Sequence, residues 1–463
     1  MTSAPRLSPT ISRIFLGALA VRWTYALLLY ATLGESGLEG VDSIVFVGEA
    51  RQFATAIRDG LIHGSHWLGD AASNTMPLYQ VLTGGCFLLF GHLGPIADAL
   101  TQGATDSATC VLVFLIARSL DVRLGVPSAI AAIFNPTQIV MSGLIYTDTQ
   151  FTLFVVLSIF LVQRWFRSPS FGHAAMLGVS LACAVLTRVS IAPWAFAVIG
   201  LLLAMSAWQR RSLSQLAALV GAATMVSLSL AVISVRNHDQ YGSYALSAQT
   251  GEHVAWWIVP LAREMQDRTP YAVAAKEMND RAIQRYGAPS PNRFEQSRRL
   301  QEVAADALRN DLKLSALIKS WASGAFINLV SPAHLVSPPV SRLPRTGFYD
   351  TPGASFAEKV FNYAFRSGNP TYSWLLIAGT LGLLVLRLIQ AIGLVSLARQ
   401  RSNWPSLLFA GSWILFLLLL NGPIASPKYR LPLEPLFDIL IGAGCVAIWS
   451  WRRGTGAKQT AAP

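Results

Sequence analysis

Charge is what this 463-residue sequence has least of, since only 13% of its residues are Asp, Glu, Lys or Arg. A soluble domain ordinarily carries about 25%. Set beside 53% hydrophobic residues and a mean hydropathy of +0.45, that scarcity excludes a soluble globular domain and makes lipid the solvent. Cysteine is scarce as well. Cys86, Cys110, Cys183 and Cys445 are the only four, and all lie inside apolar stretches, where they read as small buried hydrophobes rather than a disulfide framework. The seven histidines show neither HExxH nor any paired ligand spacing, so no metal centre is indicated. His253, after Gly251-Glu252, reads as structural rather than as a metal ligand. A formal charge of +12 would suggest nucleic acid in a soluble protein. Here the basic residues sit mainly in short loops between apolar runs, so orientation in the membrane explains them and no nucleic-acid partner is called for.

A bilayer core takes about 20 apolar residues per helical span. Such runs occur near 14–34, 97–117, 124–143, 148–166, 173–187, 190–208, 214–234, 373–398, 404–422 and 430–451, which predicts about ten spans. The first carries Arg22 and no convincing small-residue cleavage site before the Leu33–Asp42 loop, so it reads as a retained span. Two shorter runs, 77–91 and 312–330, are decided by parity. With the N-terminus (Arg6, Arg13) cytoplasmic and 77–91 lying flat, the clusters Arg118/Arg123, Arg164/Arg167, Arg210/Arg211, Arg399/Arg401 and Arg452/Arg453 all fall inside. Lys313 and Lys319 likewise mark 312–330 as interfacial. The chain then divides into an N-terminal bundle, 1–234, whose first outer loop, 35–96, carries interfacial helices; a large extracytoplasmic region, 235–372; and C-terminal spans with a cytoplasmic tail, 373–463. A loop as long as 235–372 is usually functional.

Several polar residues stand at the outer ends of these runs. Asp42 precedes an amphipathic segment with apolar positions at helical spacing, and from spacing alone it reads first as a helix N-cap, with Ser43 an equal candidate. Asp148 opens the span 148–166 and could be no more than a cap beside the helix dipole. Two carboxylates on one membrane face nevertheless match what a transferase needs: one to take a hydroxyl proton, the other to orient it. Arg188 violates the positive-inside bias, which calls for an anionic ligand or a lipid phosphate. With Arg236 and the run Lys428-Tyr429-Arg430 it makes a basic collar at headgroup depth, suited to a lipid-linked phosphate. Arg22 and Arg387 fall within apolar runs, where an ionisable side chain must pair or face a cavity; Arg387 reads best as lying near the cytoplasmic end of a tilted helix. The competing reading of the collar is a transporter or flippase that holds a lipid phosphate without chemistry.

The order of these pieces resembles the bacterial GT-C glycosyltransferases that use polyprenyl-phosphate sugars, with protein O-mannosyltransferases and the lipid A aminoarabinose transferase among the relatives. The resemblance rests on Asp42 with Gly48-Glu-Ala-Arg-Gln-Phe-Ala, Met76-Pro-Leu-Tyr, Ser142-Gly-Leu-Ile-Tyr-Thr-Asp148, the run Gly178 to Arg188, Val235-Arg-Asn-His-Asp-Gln-Tyr-Gly242 and Lys428-Tyr-Arg-Leu-Pro-Leu-Glu-Pro435. It implies an all-α, polytopic GT-C-like bundle in the bacterial inner membrane with its active site on the periplasmic face. It also implies inverting transfer of a sugar from a polyprenyl-phosphate donor to an extracytoplasmic lipid, glycan or protein, with no cofactor required. Asp42 and Asp148 would be catalytic, Arg188, Arg236, Lys428 and Arg430 would hold the donor phosphate, and Glu49, Tyr79, Tyr146, His253 and Tyr429 would contact substrate. Two positions depart from the pattern. Ser43 stands where relatives often have a second acid, and Thr75-Met76-Pro77 stands where they often have Lys or His before a double proline, so that contact is absent here or supplied by another cation.

Overall fold

The computed structural model describes residues 9–60 and 75–459, with side chains described as far as Arg452. Arg6, residues 61–74 of the first outer loop and the Arg453 side chain lie outside the described residues. Among the described residues every regular element is helical. In chain order these are α1 (Pro9–Leu33), α2 (Ser43–Arg58), α3 (Pro77–Phe90), α4 (Gly94–Leu120), α5 (Gly125–Ile133), α6 (Pro136–Ser142), α7 (Asp148–Arg167), α8 (Phe171–Thr187), α9 (Ala192–Trp208) and α10 (Leu213–Tyr241). There follow α11 (Thr250–His253), α12 (Val259–Asp267), α13 (Tyr271–Tyr286), α14 (Arg293–Asn310), α15 (Leu314–Val330), α16 (Pro338–Ser341) and α17 (Phe356–Phe365). The chain closes with α18 (Pro370–Ala398), α19 (Trp404–Asn421) and α20 (Glu434–Gln459).

Eight helical stretches among the described residues are long and apolar enough to cross a membrane, and the protein is a multi-pass membrane protein. The other two expected spans take different forms. The run 173–187 is the 17-residue α8, and 124–143 is two helices bent by 51°. The bend has a local cause. Pro136 cannot donate to the turn before it, and Asn135 ends one helix and caps the next by accepting from the Thr137 and Gln138 amides at 2.9 and 3.4 Å.

The run 77–91 forms α3, and a 3₁₀ turn beginning at Gly91, which has φ +58°, separates it from α4. Gly94 packs against Phe87, Thr83 donates to Asp98, and Tyr79 donates to Asp98 and accepts from Gln102 at 3.3 Å. The contacts move down α4 as they move back along α3, so α3 packs antiparallel against the first turns of α4. Between α10 and α18, α11 through α14 share a small core of Ala255, Val259, Met278, Leu300 and Ala304. Gly251 is needed there because a Cβ would stand 2.1 Å from the Ser297 carbonyl oxygen.

A closed polar network runs through the middle of the bundle. Arg22 on α1 is ion-paired with Asp106 on α4 at 2.8 Å and donates to the Ala132 carbonyl and to Gln138. Gln138 and Asn135 donate to the two oxygens of Asp438 at 2.7 and 2.9 Å, and Asn135 and Thr137 donate to Glu434. Arg430 pairs with Glu434 and donates to Thr137 and to the Asn328 and Ser331 carbonyls. In an apolar surround each such group must find its partner inside the protein, and the network thereby ties α1, α4, the bent pair and α20 together. Arg387, expected near a cytoplasmic end, instead donates to the Leu329 carbonyl at the end of α15 and to Gln390, with its guanidinium 4.2 Å from the Phe437 ring centroid.

Candidate active site

The segment before α2 is stitched to the segment before α7. Ser43 Oγ donates to the Ile145 carbonyl at 2.9 Å and accepts from the Gly40 amide, while the Ile145 amide donates to the Leu38 carbonyl. Gly40 allows the approach, since the Tyr146 hydroxyl lies 2.0 Å from where a Cβ would stand. These bonds set Asp42 beside the Tyr146-Thr147-Asp148 turn. Asp42 occupies the N-cap position of α2, but its side chain makes no capping hydrogen bond, so the capping role that spacing favoured is not the one it fills. Its carboxylate is 45% exposed and ion-paired with Lys428.

Lys428 arrives on a 3₁₀ helix, Pro427–Leu433. Its ammonium lies 5.5 Å from the Tyr146 ring centroid and 5.0 Å from that of Tyr429. Arg188, at the end of α8, donates to Asp148 Oδ2 at 2.7 Å and to Thr147 Oγ1 at 3.1 Å, and its guanidinium sits 5.5 Å from the Phe151 centroid. Asp148 is 1% exposed, and among the described residues its Oδ1 is buried with no hydrogen-bond partner. Burial, opposed by Lys428, pushes the Tyr146 hydroxyl up to about 12. His253, at the end of α11, is held below the usual histidine range by its partial enclosure and by the Lys428 and Arg188 cations, which favours the neutral imidazole. Asp42, Asp148, Arg188, Tyr146, His253 and Lys428 therefore share one electrostatic neighbourhood, drawn from five separate stretches of chain.

Other predicted site residues lie elsewhere or face inward. Arg430 belongs to the bundle network, with Nε, Nη1 and Nη2 all engaged and 1% exposure, so it offers no donor to a surface phosphate. Tyr79 is 1% exposed and its hydroxyl donates to Asp98 and accepts from Gln102 between α3 and α4. Arg236 is buried at the end of α10, donating to Asn237 and lying 5.7 Å from the Tyr241 centroid. Glu49, two turns along α2 from Asp42, is buried and accepts from Thr75 and Gln80, each at 2.7 Å. Tyr429 flanks Lys428. Sequence reasoning missed Thr147, the second anchor of Arg188, and Tyr349, whose hydroxyl accepts from the Ala425 amide and donates to its carbonyl, bracing the loop that delivers Lys428. Tyr349 carries no motif that would have singled it out.

An apolar groove of about 270 Å³ opens between α3, α8 and α10, lined by Leu78, Val81, Leu186, Val232 and Ile233 among others. Leu186 lies two residues from Arg188. Among the described residues no group of three or more His, Cys, Asp or Glu is placed to hold a metal ion.

Two acids and two cations thus meet at one end of a multi-span helical bundle. The family model described as dolichyl-phosphate-mannose-protein mannosyltransferase matches residues 77–236, which hold α3, Asp148, Arg188 and Arg236. Together with the architecture, that match supports the GT-C class of membrane glycosyltransferases. No curated protein matches the chain. Two solved structures of ArnT from Cupriavidus metallidurans are similar at 15% identity, one in the apo state and one bound to undecaprenyl phosphate. The first covers 92% of this chain and 78% of its own with a TM-score of 0.37, the second 96% and 78% with 0.38.

Proposed function

We propose that the protein transfers a sugar from a polyprenyl-phosphate donor to a hydroxyl-bearing acceptor at the outer face of a bacterial inner membrane, with inversion and without a metal. The observation that carries this reading is the meeting of the Asp42–Lys428 and Arg188–Asp148 pairs, with Leu186 of an apolar groove two residues from Arg188. The groove suits the donor's polyprenyl tail, and Arg188 and Lys428 suit its phosphate. Asp42 is accessible enough to meet an acceptor. In the resting state its carboxylate is tied to Lys428. A donor phosphate competes for that ammonium and leaves the carboxylate able to accept a proton. The acceptor oxygen then bonds the anomeric carbon from the face opposite the phosphate, and its proton passes to Asp42. The anomeric carbon–oxygen bond breaks with its electron pair going to the phosphate, which Arg188 and Lys428 stabilise as the charge develops. Asp148 holds Arg188 in position and, through Oδ1, has capacity for an acceptor hydroxyl. The outer region 235–372, through His253, is the part placed to select the acceptor.

The test is an assay of membranes containing the protein with radiolabelled polyprenyl-phosphate sugars, scoring label in lipid, glycan and protein fractions. Transfer that requires Asp42 supports the reading. Movement of labelled lipid across the bilayer without transfer would establish the transporter instead.

A further inference from the structure

The α2–α3 pair carries a second basic cavity that the transfer reaction does not use. It measures about 380 Å³ and is lined by Arg51 and Arg58 of α2, His92 and Glu35, with Phe87 as its floor. Arg51 lies 5.6 Å from the Phe87 ring centroid and only 3.4 Å from Glu35, in an exposed and therefore weak ion pair. Arg58 donates to the Phe87 carbonyl at 3.2 Å. Both guanidiniums are exposed and keep donors for a further ligand.

The depth of this cavity is fixed by its walls. Glu35 follows the end of α1 at Leu33, and Pro95 stands in the first turn of α4, so the cavity sits where two spanning helices leave the bilayer, at the end that also carries Asp42. Below and beside it the surface is apolar: Leu27 and Leu28 on α1 are 48% and 59% exposed, and Leu89 and Phe90 are 77% and 54% exposed. Cations above an apolar strip form the pattern that takes an anionic lipid by headgroup and acyl chain together. We propose that this cavity binds the phosphate of an anionic membrane phospholipid, a site separate from Arg188 and Lys428, with Arg51 and Arg58 as its ligands and Glu35 as a competitor for Arg51.

The competitor gives a test with two signs. The full chain in phosphatidylcholine nanodiscs is titrated with spin-labelled phosphatidylglycerol. Arg51→Gln with Arg58→Gln should weaken binding about tenfold or more, as expected for losing charge-assisted contacts, whereas Glu35→Gln should tighten it by releasing Arg51. Arg51→Gln alone guards against misfolding, because Arg58 also braces α3, and it should show a smaller loss in the same direction. Arg210→Gln with Arg211→Gln, in the α9–α10 turn, should change nothing. Equal losses in that control, or weaker binding in Glu35→Gln, would overturn the site. Displacement of the labelled lipid by inorganic phosphate alone would overturn the assignment to a lipid.

Discussion

Lys428 and Arg430 stand two residues apart on the same short helix, yet they belong to two polar assemblies of opposite character. Arg430 faces inward to a network in which Arg22, Asp106, Glu434 and Arg430 are all at most 4% exposed in their side chains and each cation has an acid beside it. Lys428 faces the cluster with Asp42, Arg188 and Asp148, where side-chain exposures reach 45%. Asp106 in the network and Asp148 in the cluster each have one buried carboxylate oxygen without a partner among the described residues. The same residue types thus do different work according to how deeply they are buried. A buried network in lipid holds helices in place, because removing one member strands another as an uncompensated buried charge. A partly exposed cluster is open to a substrate. The two are joined mechanically: α6, pinned by Thr137 and Gln138, runs into the turn that presents Tyr146 and Asp148.

The comparison breaks most decisively at Asp42. Asp42→Asn keeps shape but cannot accept a proton at neutral pH, so turnover should fall about 10²–10⁴-fold, the usual contribution of a general base, with thermal stability nearly unchanged. An Asn variant of normal turnover would take Asp42 out of the mechanism and leave Asp148 as the acid to examine. The network should respond in the reverse manner. Arg430→Ala leaves Glu434 buried without its cation and should cost about 3–5 kcal/mol of stability, read as loss of folded protein in detergent at moderate temperature. A stable Arg430→Ala variant with poor donor affinity would move Arg430 back into the phosphate collar. Lys428→Ala is the intermediate case. It removes a charge-assisted contact of about 1.5–3 kcal/mol, so apparent donor affinity should drop by about 10–100-fold while the protein remains folded. Unaltered donor affinity would place the phosphate elsewhere.

The fold was legible because lipid imposes one requirement on every span: a run of apolar residues long enough to cross. That signal is local and found the eight stretches of spanning length among the described residues. The bend at Asn135-Pro136 was also written locally, in a proline that cannot continue a helix, but the run 124–143 looked continuous by hydropathy alone. Partner choice is a different matter. Arg22 within an apolar run announced that it needed a partner, but its acid lies 84 residues away on α4, and nothing local specifies which of Asp98, Asp106, Glu434 or Asp438 it meets. Arg430 and Tyr79 face inward for a reason the sequence did not reveal. Sequence position gave their depth in the membrane but not the direction in which a helix would turn them. Asp42 shows the converse, since spacing made it a cap and only the Lys428 contact, across 386 residues, shows its carboxylate turned to other use.

Glu49 offers the subtlest way to sharpen the contrast, because it combines features of both assemblies. It lies on α2 with Asp42 but is buried, and two neutral donors, Thr75 and Gln80, take the place of a cation contact. Burial raises its carboxyl above the ordinary value of 4.5, opposed by those two hydrogen bonds and by Arg293. The folded protein therefore holds this proton to a higher pH than the unfolded chain does. Above pH 4.5 unfolding releases the proton, so the contribution of Glu49 to stability is full below that value and is lost as pH rises through the raised one. Glu49→Gln removes the titrating group and keeps a polar side chain of the same size. In paired melts from pH 4.5 to neutrality, the wild type should lose more stability than the variant, by a gap on the order of a degree or two. Parallel pH profiles would mean that Glu49 is ionised in the folded protein, and that the Thr75 and Gln80 donors with Arg293 outweigh its burial.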